Sequence, residues 1–576
     1  MLELVGVDVD AALVAGWRAR VARARATLGW PDGALAVRHH GGGASLALAA
    51  PCDQLLVATE VNEWALCATL YERDPARWHG LEAALLAAAL EEAAEPATVV
   101  PPVLTEAAAL GRLARLAARE ARPALAPLVA AADARRLPYL LDDELLTLGA
   151  GARAASFALD ALPDLGAVPW DRLGDVPAAL VTGSNGKTTT VRLLAACARA
   201  HGWRAGFNCT DGVFVDGEAL ARGDYSGPAG TRLVLRDARV EAAALETARG
   251  GILRRGIAVS RARVAIVTNV SSDHFGEYGI DDLDGLADVK LTVAAVVADD
   301  GLLLLNADDA LLTAKAAGLA ARFGRRLPLG WFALDADRPA LAAHRAAGGA
   351  TAGVRDGRLS VAWRGAEHDL GAVDLMPLTV NGCATYNVAN LAAAALAAVA
   401  LGVPPATVAA VCARFGALAA DNLGRLMRFD VGGVRVLVDY AHNPEGLRGL
   451  LRVATHLRGG SGRLGLLLGH AGNRQDADIE AVARVAAEFH PDLVVVKENE
   501  AQLRGRSPGE VPRIIRAALL RAGLPEAALP LRLTELEAAR CALDWARPGD
   551  VLALPVHSLA ARTAVLALLE GAANDA

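Results

Sequence analysis

Along much of this chain short apolar runs alternate with longer stretches whose apolar residues recur every three or four positions. From about Val176 onward the runs fall at Val240 to Leu245, Val264 to Asn269, Leu302 to Leu305, Val434 to Asp439, Leu464 to Leu468, Leu493 to Val496 and Val551 to Leu554. Buried strands spaced by helical stretches predict a mainly parallel α/β architecture, in which ligands sit beyond the carboxyl ends of the strands. A helical region closes near Asp421 to Gly424 before a new strand series opens, so two α/β domains are expected, over residues 171–420 and 421–576. Residues 1–170 read differently: Ala-Leu-Arg-Glu helices dominate, strand signals are few, and an α-rich N-terminal domain is expected. Leu391 to Ala413 is uncharged, but Pro404-Pro405 interrupts it. It reads as a buried helix, a turn and a second helix rather than a membrane span.

Composition narrows the function classes. The chain has 576 residues, 53% of them hydrophobic and 4% aromatic, which suits globular cores built from Ala, Leu and Val. A net charge of −7 argues against a nucleic-acid surface and against an anionic membrane as partner. The seven cysteines form no CxxC pair, so neither a zinc knuckle nor a disulfide framework is indicated. With no basic region and apolar core after Met1-Leu2-Glu3, no signal peptide is visible, and a reducing cytoplasm is the expected location.

The densest chemistry lies in Thr182 to Thr190, Thr-Gly-Ser-Asn-Gly-Lys-Thr-Thr-Thr, which follows the apolar run Ala178 to Val181 and opens a helical stretch, Val191 to Ala200, with Gly202 as its stop. Strand, glycine-bearing loop and helix in that order form a phosphate cradle, because backbone N–H groups and the positive end of the helix dipole face one anion. Gly183, Ser184, Asn185 and Gly186 would wrap the phosphates, with Thr189 in the first turn. Lys187 would reach the β/γ-phosphates, and the Thr188 hydroxyl would bind Mg²⁺. Val181 stands where the usual first glycine would be. Only four lysines occur, Lys187, Lys290, Lys315 and Lys497, against 54 arginines. A compact ammonium that can become a neutral amine is something arginine does not supply, so these positions stand out.

A second constellation runs from Leu245 to Arg254: Glu246 at a strand end, then Arg249 and Arg254 around the glycine pair Gly250-Gly251. Glu246 would suit Mg²⁺, which takes few carboxylates beside phosphates and water, or it would be a solvated turn residue. His274 precedes Lys290 by 16 residues. Lys290 shares a helical face with Leu283, Leu286, Ala287, Val293 and Val297, so its amine is either desolvated, and then open to carbamate formation with CO₂, or carried out to solvent on its stem.

The P-loop, Glu246, His274 and Lys290, then Asn306 to Asp309, Tyr386 to Asn390, Gly424-Arg425 and Asp439 to Pro444, resemble the Mur ligase family in content and order. Asp211-Gly212, Gly223 to Pro228, Leu245 to Arg254 and Leu503 to Glu510 are similar, within it, to the ligase half of the cyanophycin synthetases. The resemblance implies a P-loop central domain and a Rossmann-like C-terminal domain. It also implies an ATP- and Mg²⁺-dependent ligase that phosphorylates a small-molecule or peptide carboxylate and joins it to an amino acid or amine, with homo-oligomers among the relatives. By carry-over, Lys187, Glu246, His274, Lys290 and Arg249 would be catalytic. Thr188, Glu246, His274 and Lys290, the last as a carbamate, would serve metal ions. Asn387 would meet adenine, Arg425 the phosphates and Asp439 the ribose, with His442 and Asn443 in the same motif.

Departures bear on the substrate. Cyanophycin synthetases carry an ATP-grasp domain before the ligase half, and only about 25 residues separate Leu148 to Gly151 from the P-loop strand here. The chain is therefore not expected to make cyanophycin by itself. A ligase on preformed β-aspartyl peptides and a non-catalytic nucleotide-binding partner subunit are the other readings. Asn422-Leu423 before Gly424-Arg425 lacks the usual proline, and Gly469 to Arg474 differs from the family's glycine-proline turn.

Overall fold

A computed structural model describes residues 1–78, 106–272, 275–499 and 502–574, so His274 lies outside the described residues. The chain divides into two compact units, one of residues 1–146, 156–171 and 276–281, the other of residues 147–155, 172–275 and 282–576.

In the first unit β1 (Leu2–Val5), β2 (Leu35–His40) and β3 (Gly43–Leu48) form an antiparallel sheet of order β1-β3-β2. Helices Ala11–Leu28, Leu55–Arg73 and Glu106–Glu120 bury Leu13, Trp17, Val61, Trp64 and Leu113 in one core with Leu46 of β3. Trp17 satisfies its indole by donating to Asn62 Oδ1 at 2.9 Å, as a buried N–H must. Residues 276–281 belong here because Arg38 of β2 donates to the carbonyls of Tyr278 and Gly279. A second small sheet holds β4 (Tyr139–Leu141), β5 (Leu145–Leu148) and β6 (Ala155–Ala158). Among the described residues of 1–170 helices thus cover more than strands do, but six strands accompany them where few were expected. Each spans three to six residues, too short for alternation to declare itself.

The second unit contains two sheets. The larger has eleven strands: β7 (Ala178–Thr182), β8 (Ala205–Cys209), β9 (Gly212–Val215), β10 (Glu218–Arg222), β11 (Ala242–Glu246), β12 (Ala262–Val267), β13 (Val297–Asn306), β14 (Leu329–Asp335), β15 (Ala350–Arg355), β16 (Arg358–Trp363) and β17 (Ala366–Ala372). Their order is β10-β9-β8-β11-β7-β12-β13-β14-β15-β16-β17, parallel from β8 to β15 and antiparallel at both flanks. Helices Lys187–Ala200 and Thr385–Leu401 pack on one another over this sheet. The second is buried on nearly every side, which small alanines permit. It ends at Gly402, and Pro405–Cys412 follows as a separate helix, as the Pro404-Pro405 break predicts. No helix among the described residues is long and apolar enough to cross a membrane.

The smaller sheet has β18 (Met427–Val431), β19 (Val434–Asp439), β20 (Leu464–Leu468), β21 (Leu493–Lys497), β22 (Leu531–Arg532) and β23 (Val551–Pro555) in the order β18-β19-β23-β20-β21-β22. Alternation assigns its two faces. Leu464, Leu466, Leu468, Val494 and Val496 meet helices Pro444–Arg458, Asp476–Glu488 and Glu510–Arg521. Leu467, Leu493 and Val495 face the opposite way, against helices Glu535–Trp545 and Leu559–Asn574. Helices on both faces leave the carboxyl ends of the parallel strands as the open edge.

Candidate active site

The loop after β7 is forced into its shape by its surroundings. Gly183 has φ +145°, and a Cβ there would lie 1.8 Å from Thr268 Oγ1. Gly186 has φ +85°, and a Cβ would lie 2.2 Å from Asn390 Oδ1, so both positions admit only glycine. Val181, at the place of the usual first glycine, is a fully buried residue of β7. The carboxyl end of β12 braces the loop. Ser184 Oγ donates to Ser271 O at 2.9 Å, Asn185 N donates to Asn269 Oδ1 at 2.9 Å, and Thr268 Oγ1 donates to Asn185 O at 2.5 Å. The helix begins at Lys187. Lys187 Nζ donates to Gly183 O at 3.0 Å and Ser184 O at 2.9 Å, which keeps its ammonium at the mouth of the loop.

Behind the loop, Thr188 Oγ1 donates to Glu246 Oε2 at 2.8 Å. Glu246 ends β11 and is 1% exposed. Burial raises its pKa, while Lys187, the Thr188 hydroxyl and Arg425 pull it back toward the charged form. A buried carboxylate beside a hydroxyl, incompletely compensated by its cationic neighbours, is a donor pair that suits Mg²⁺.

The smaller sheet supplies the other wall. Arg425 Nη2 lies 3.4 Å from Thr188 Oγ1, so this arginine faces the loop as expected. Asp439, at the end of β19, accepts from Leu426 N at 2.6 Å and Ala441 N at 2.8 Å; burial raises its pKa against the pull of Arg425. Asn443 caps the helix Pro444–Arg458 through Gly446 N and donates to Asn185 Oδ1 at 3.0 Å, which ties that helix start to the P-loop. Asn387 donates to Leu378 O at 3.0 Å and accepts from Asn390 Nδ2 at 3.1 Å. A cavity of about 650 Å³ is lined by Ser184 to Thr189, Glu246, Asn387, Arg425, Asp439 and His442, among others.

Of the expected residues, Gly183 and Asn443 lie beside lining residues without being part of the lining, and Arg249 and Lys290 stand apart from it. Arg249 and Lys290 lie on the helices Arg249–Arg255 and Leu283–Leu291, which pack together, and both side chains are buried. Lys290 is 3% exposed, so the desolvated alternative describes it better than the snorkelling one. Sequence reasoning gave no role to Thr268, Asn269 and Asn390, which shape the loop. Asp211, quoted there only as part of a motif, joins Arg192 of the P-loop helix at 2.6 Å and Arg562 of the last helix. Thr268 and Asn269 stand just past the carboxyl end of β12, and the strand-end rule would have found them.

The family model "Mur ligase middle domain" matches residues 181–336, and "Mur ligase, glutamate ligase domain" matches residues 424–554. UDP-N-acetylmuramoyl-L-alanyl-D-glutamate--2,6-diaminopimelate ligase of Alkalilimnicola ehrlichii is 31% identical over 424 residues, covering 70% of this chain and 77% of that one. The chain belongs to the Mur ligase family. Cyanophycin synthetase of a Synechocystis strain is 36% identical over 369 residues, covering 64% of this chain. This Mur ligase chain spans 41% of that relative's length. Among solved structures, E. coli FolC in complex with DHPP and ADP aligns with a TM-score of 0.49 and 18% identity, over 69% of this chain and 89% of that one.

Proposed function

We propose that this chain is an ATP- and Mg²⁺-dependent amide ligase, which activates a substrate carboxylate as an acyl phosphate and joins it to an amino acid or amine. The observation that carries this is the Thr188–Glu246 pair at 2.8 Å, with Arg425 reaching Thr188 and Lys187 held on the P-loop close enough to act on the charge of Glu246, inside a chain of the Mur ligase family. The residues fit both groups. Gly183 to Gly186 and the start of the Lys187 helix offer backbone N–H groups to phosphates, and Thr188 with Glu246 offers oxygen ligands to Mg²⁺. A bound Mg²⁺ would supply charge neutralisation at phosphate oxygens. Lys187 would hold the terminal phosphate, and Arg425 would add a second cation from the opposite wall. Thr189, Asn387 and Asp439 complete the nucleotide contacts of this reading. Lys290, as a carbamate, with His274 and Arg249, belongs to the carboxylate and second-metal side.

The family models at 181–336 and 424–554 support a central domain over 171–420 and a C-terminal domain over 421–576, with residues 1–170 as a region of its own. Because the chain spans under half of the cyanophycin synthetases it matches, their whole reaction is not assigned to it. The test is phosphate release from ATP and Mg²⁺ with pools of acidic peptides and of free amino acids and amines. Release that needs both pools supports the ligase, and subdivision then identifies the substrates. Release that needs neither, or tight ATP binding with no release in any pool, contradicts it.

A further inference from the structure

The arginine that faces the P-loop has a support of its own. The Arg425 guanidinium carbon lies 4.4 Å from the Tyr440 ring centroid, while its Nη1 donates to Gly424 O and its Nη2 reaches Thr188 Oγ1. Asp211, Glu246 and Asp439 feel the charge of Arg425, but each takes its hydrogen bonds from other groups, Asp439 from the amides of Leu426 and Ala441. Asp211 is bonded by Arg192 and Arg562, and Glu246 by Thr188. Among the described residues no carboxylate is within ion-pair distance of Arg425. A guanidinium on a long flexible stem samples many rotamers unless its plane is held, and an aromatic face holds it without neutralising it.

The ring is itself fixed. His442 and His557 meet its edges at 5.4 Å each, with interplanar angles of 64° and 86°. His557 is anchored in turn: its Nε2 is 3.0 Å from Ala441 O, and its backbone N donates to both oxygens of Glu535. Glu535 pairs with Lys497, and neither residue has any exposed surface. Lys497 Nζ also lies 3.3 Å from His557 Nδ1. One of the chain's four lysines thus sits in the C-terminal core, at the base of a series of contacts that runs through Glu535, His557, Tyr440 and Arg425 to the P-loop threonine.

We propose that Tyr440 is a positioning residue, whose ring holds the Arg425 guanidinium over the P-loop so that it meets the terminal phosphate of a bound nucleoside triphosphate. This rests on the nucleotide-site reading given above. The test is calorimetric titration of AMP-PNP and of ADP, each with Mg²⁺, into the wild-type chain and the variants Tyr440→Phe, Tyr440→Leu, Arg425→Ala and Tyr440→Leu/Arg425→Ala.

Tyr440→Leu should weaken AMP-PNP by about 5- to 30-fold, the span of a partly to fully desolvated cation–π contact, and ADP by less than about twofold. Tyr440→Phe, which keeps the ring, should stay within about twofold of wild type for both ligands. In the Arg425→Ala background the leucine substitution should add nothing, because a residue that acts through another loses its effect when that partner is gone. Equal losses for both nucleotides in Tyr440→Leu, no loss, a Tyr440→Phe loss as large as that of Tyr440→Leu, or additive effects in the double variant would each overturn the proposal. Wild-type chain that binds neither nucleotide overturns this proposal and the nucleotide site together. Wild-type chain that binds both without turnover overturns the ligase reading alone, and the affinity series still decides the role of Tyr440.

Discussion

The two ends of the 650 Å³ cavity are built on different plans. At the phosphate end, neighbours hold the loop in shape: Thr268, Asn269 and Ser271 bond Ser184 and Asn185, and the two glycines fit against Thr268 and Asn390. Lys187 and Thr188 line the cavity and add only to a loop already braced, Lys187 through the carbonyls of Gly183 and Ser184 and Thr188 through Glu246. At the opposite end, Asn387 and Asp439 line the cavity and also hold the backbone. Asn387 bonds Leu378 O, and Asp439 takes the amides of Leu426 and Ala441. At the first end most of the bracing comes from residues given no part in the chemistry, and at the second the proposed nucleotide residues carry it themselves. Substitutions should therefore split cleanly into loss of turnover at one end and mixed loss at the other.

The largest effect is expected from Lys187→Ala. Removing a preorganised cation from the site should lower kcat by about 10²- to 10³-fold, while the thermal midpoint stays near that of wild type. A fall in midpoint as large as that of an Asp439 variant would break the comparison. Glu246→Gln should come next, with Mg²⁺ affinity weakened by about 10- to 100-fold, read as the metal concentration that half-saturates turnover. Lys290→Ala should lose activity and regain part of it with added acetate or formate if the ligand is a carbamate. No rescue, together with an unmodified lysine by mass spectrometry, would favour the amine itself.

Asn387→Ala and Asp439→Asn should each cost about 1–3 kcal/mol of stability, because each strands buried backbone partners. They should raise the KM for ATP as well, and an unchanged thermal midpoint with a raised KM would place them with Lys187 instead. The smallest effect is a pH slope. The carboxyl of Glu246 titrates above its ordinary range because it is buried, so its protonated form favours the folded state. That stability is fully present below the ordinary pKa of a free glutamate and is lost as pH rises through the raised value. Metal-free chain should therefore soften as pH climbs out of the acid range, and Glu246→Gln should flatten the slope. Denaturant titrations at several pH values check both.

Legibility in the sequence followed the range over which each feature is specified. The P-loop was legible because strand, loop and helix are contiguous, and the seven apolar runs all fall on strands. β8 to β10 and β14 to β18 were not expected as strands. They are short, and several carry Ala, Gly or Arg where an isolated strand would show Val or Ile, so the neighbouring strands decide their state. The helical face of Lys290 left a desolvated and a snorkelling amine open, and only its burial in the fold selects the first. Its distance from the cavity lining was not legible either, since that depends on how two helices pack. The double duty of Asn387 and Asp439 was also hidden, because partners such as Leu378 and Leu426 contribute only backbone atoms. Motif reading reports which residue stands at a site and is blind to what its second lone pair does.

The central claim is that ATP energy passes through the substrate carboxylate. Its most direct test is to exchange ¹⁸O into the carboxylates of the acidic-peptide pool and to analyse the phosphate released in ordinary water by mass spectrometry. An acyl phosphate attacked by an amine leaves one carboxylate oxygen on phosphate, so the account predicts ¹⁸O in phosphate, dependent on the amine and lost in Lys187→Ala. Released phosphate free of label, with all ¹⁸O retained in the peptides, would contradict it.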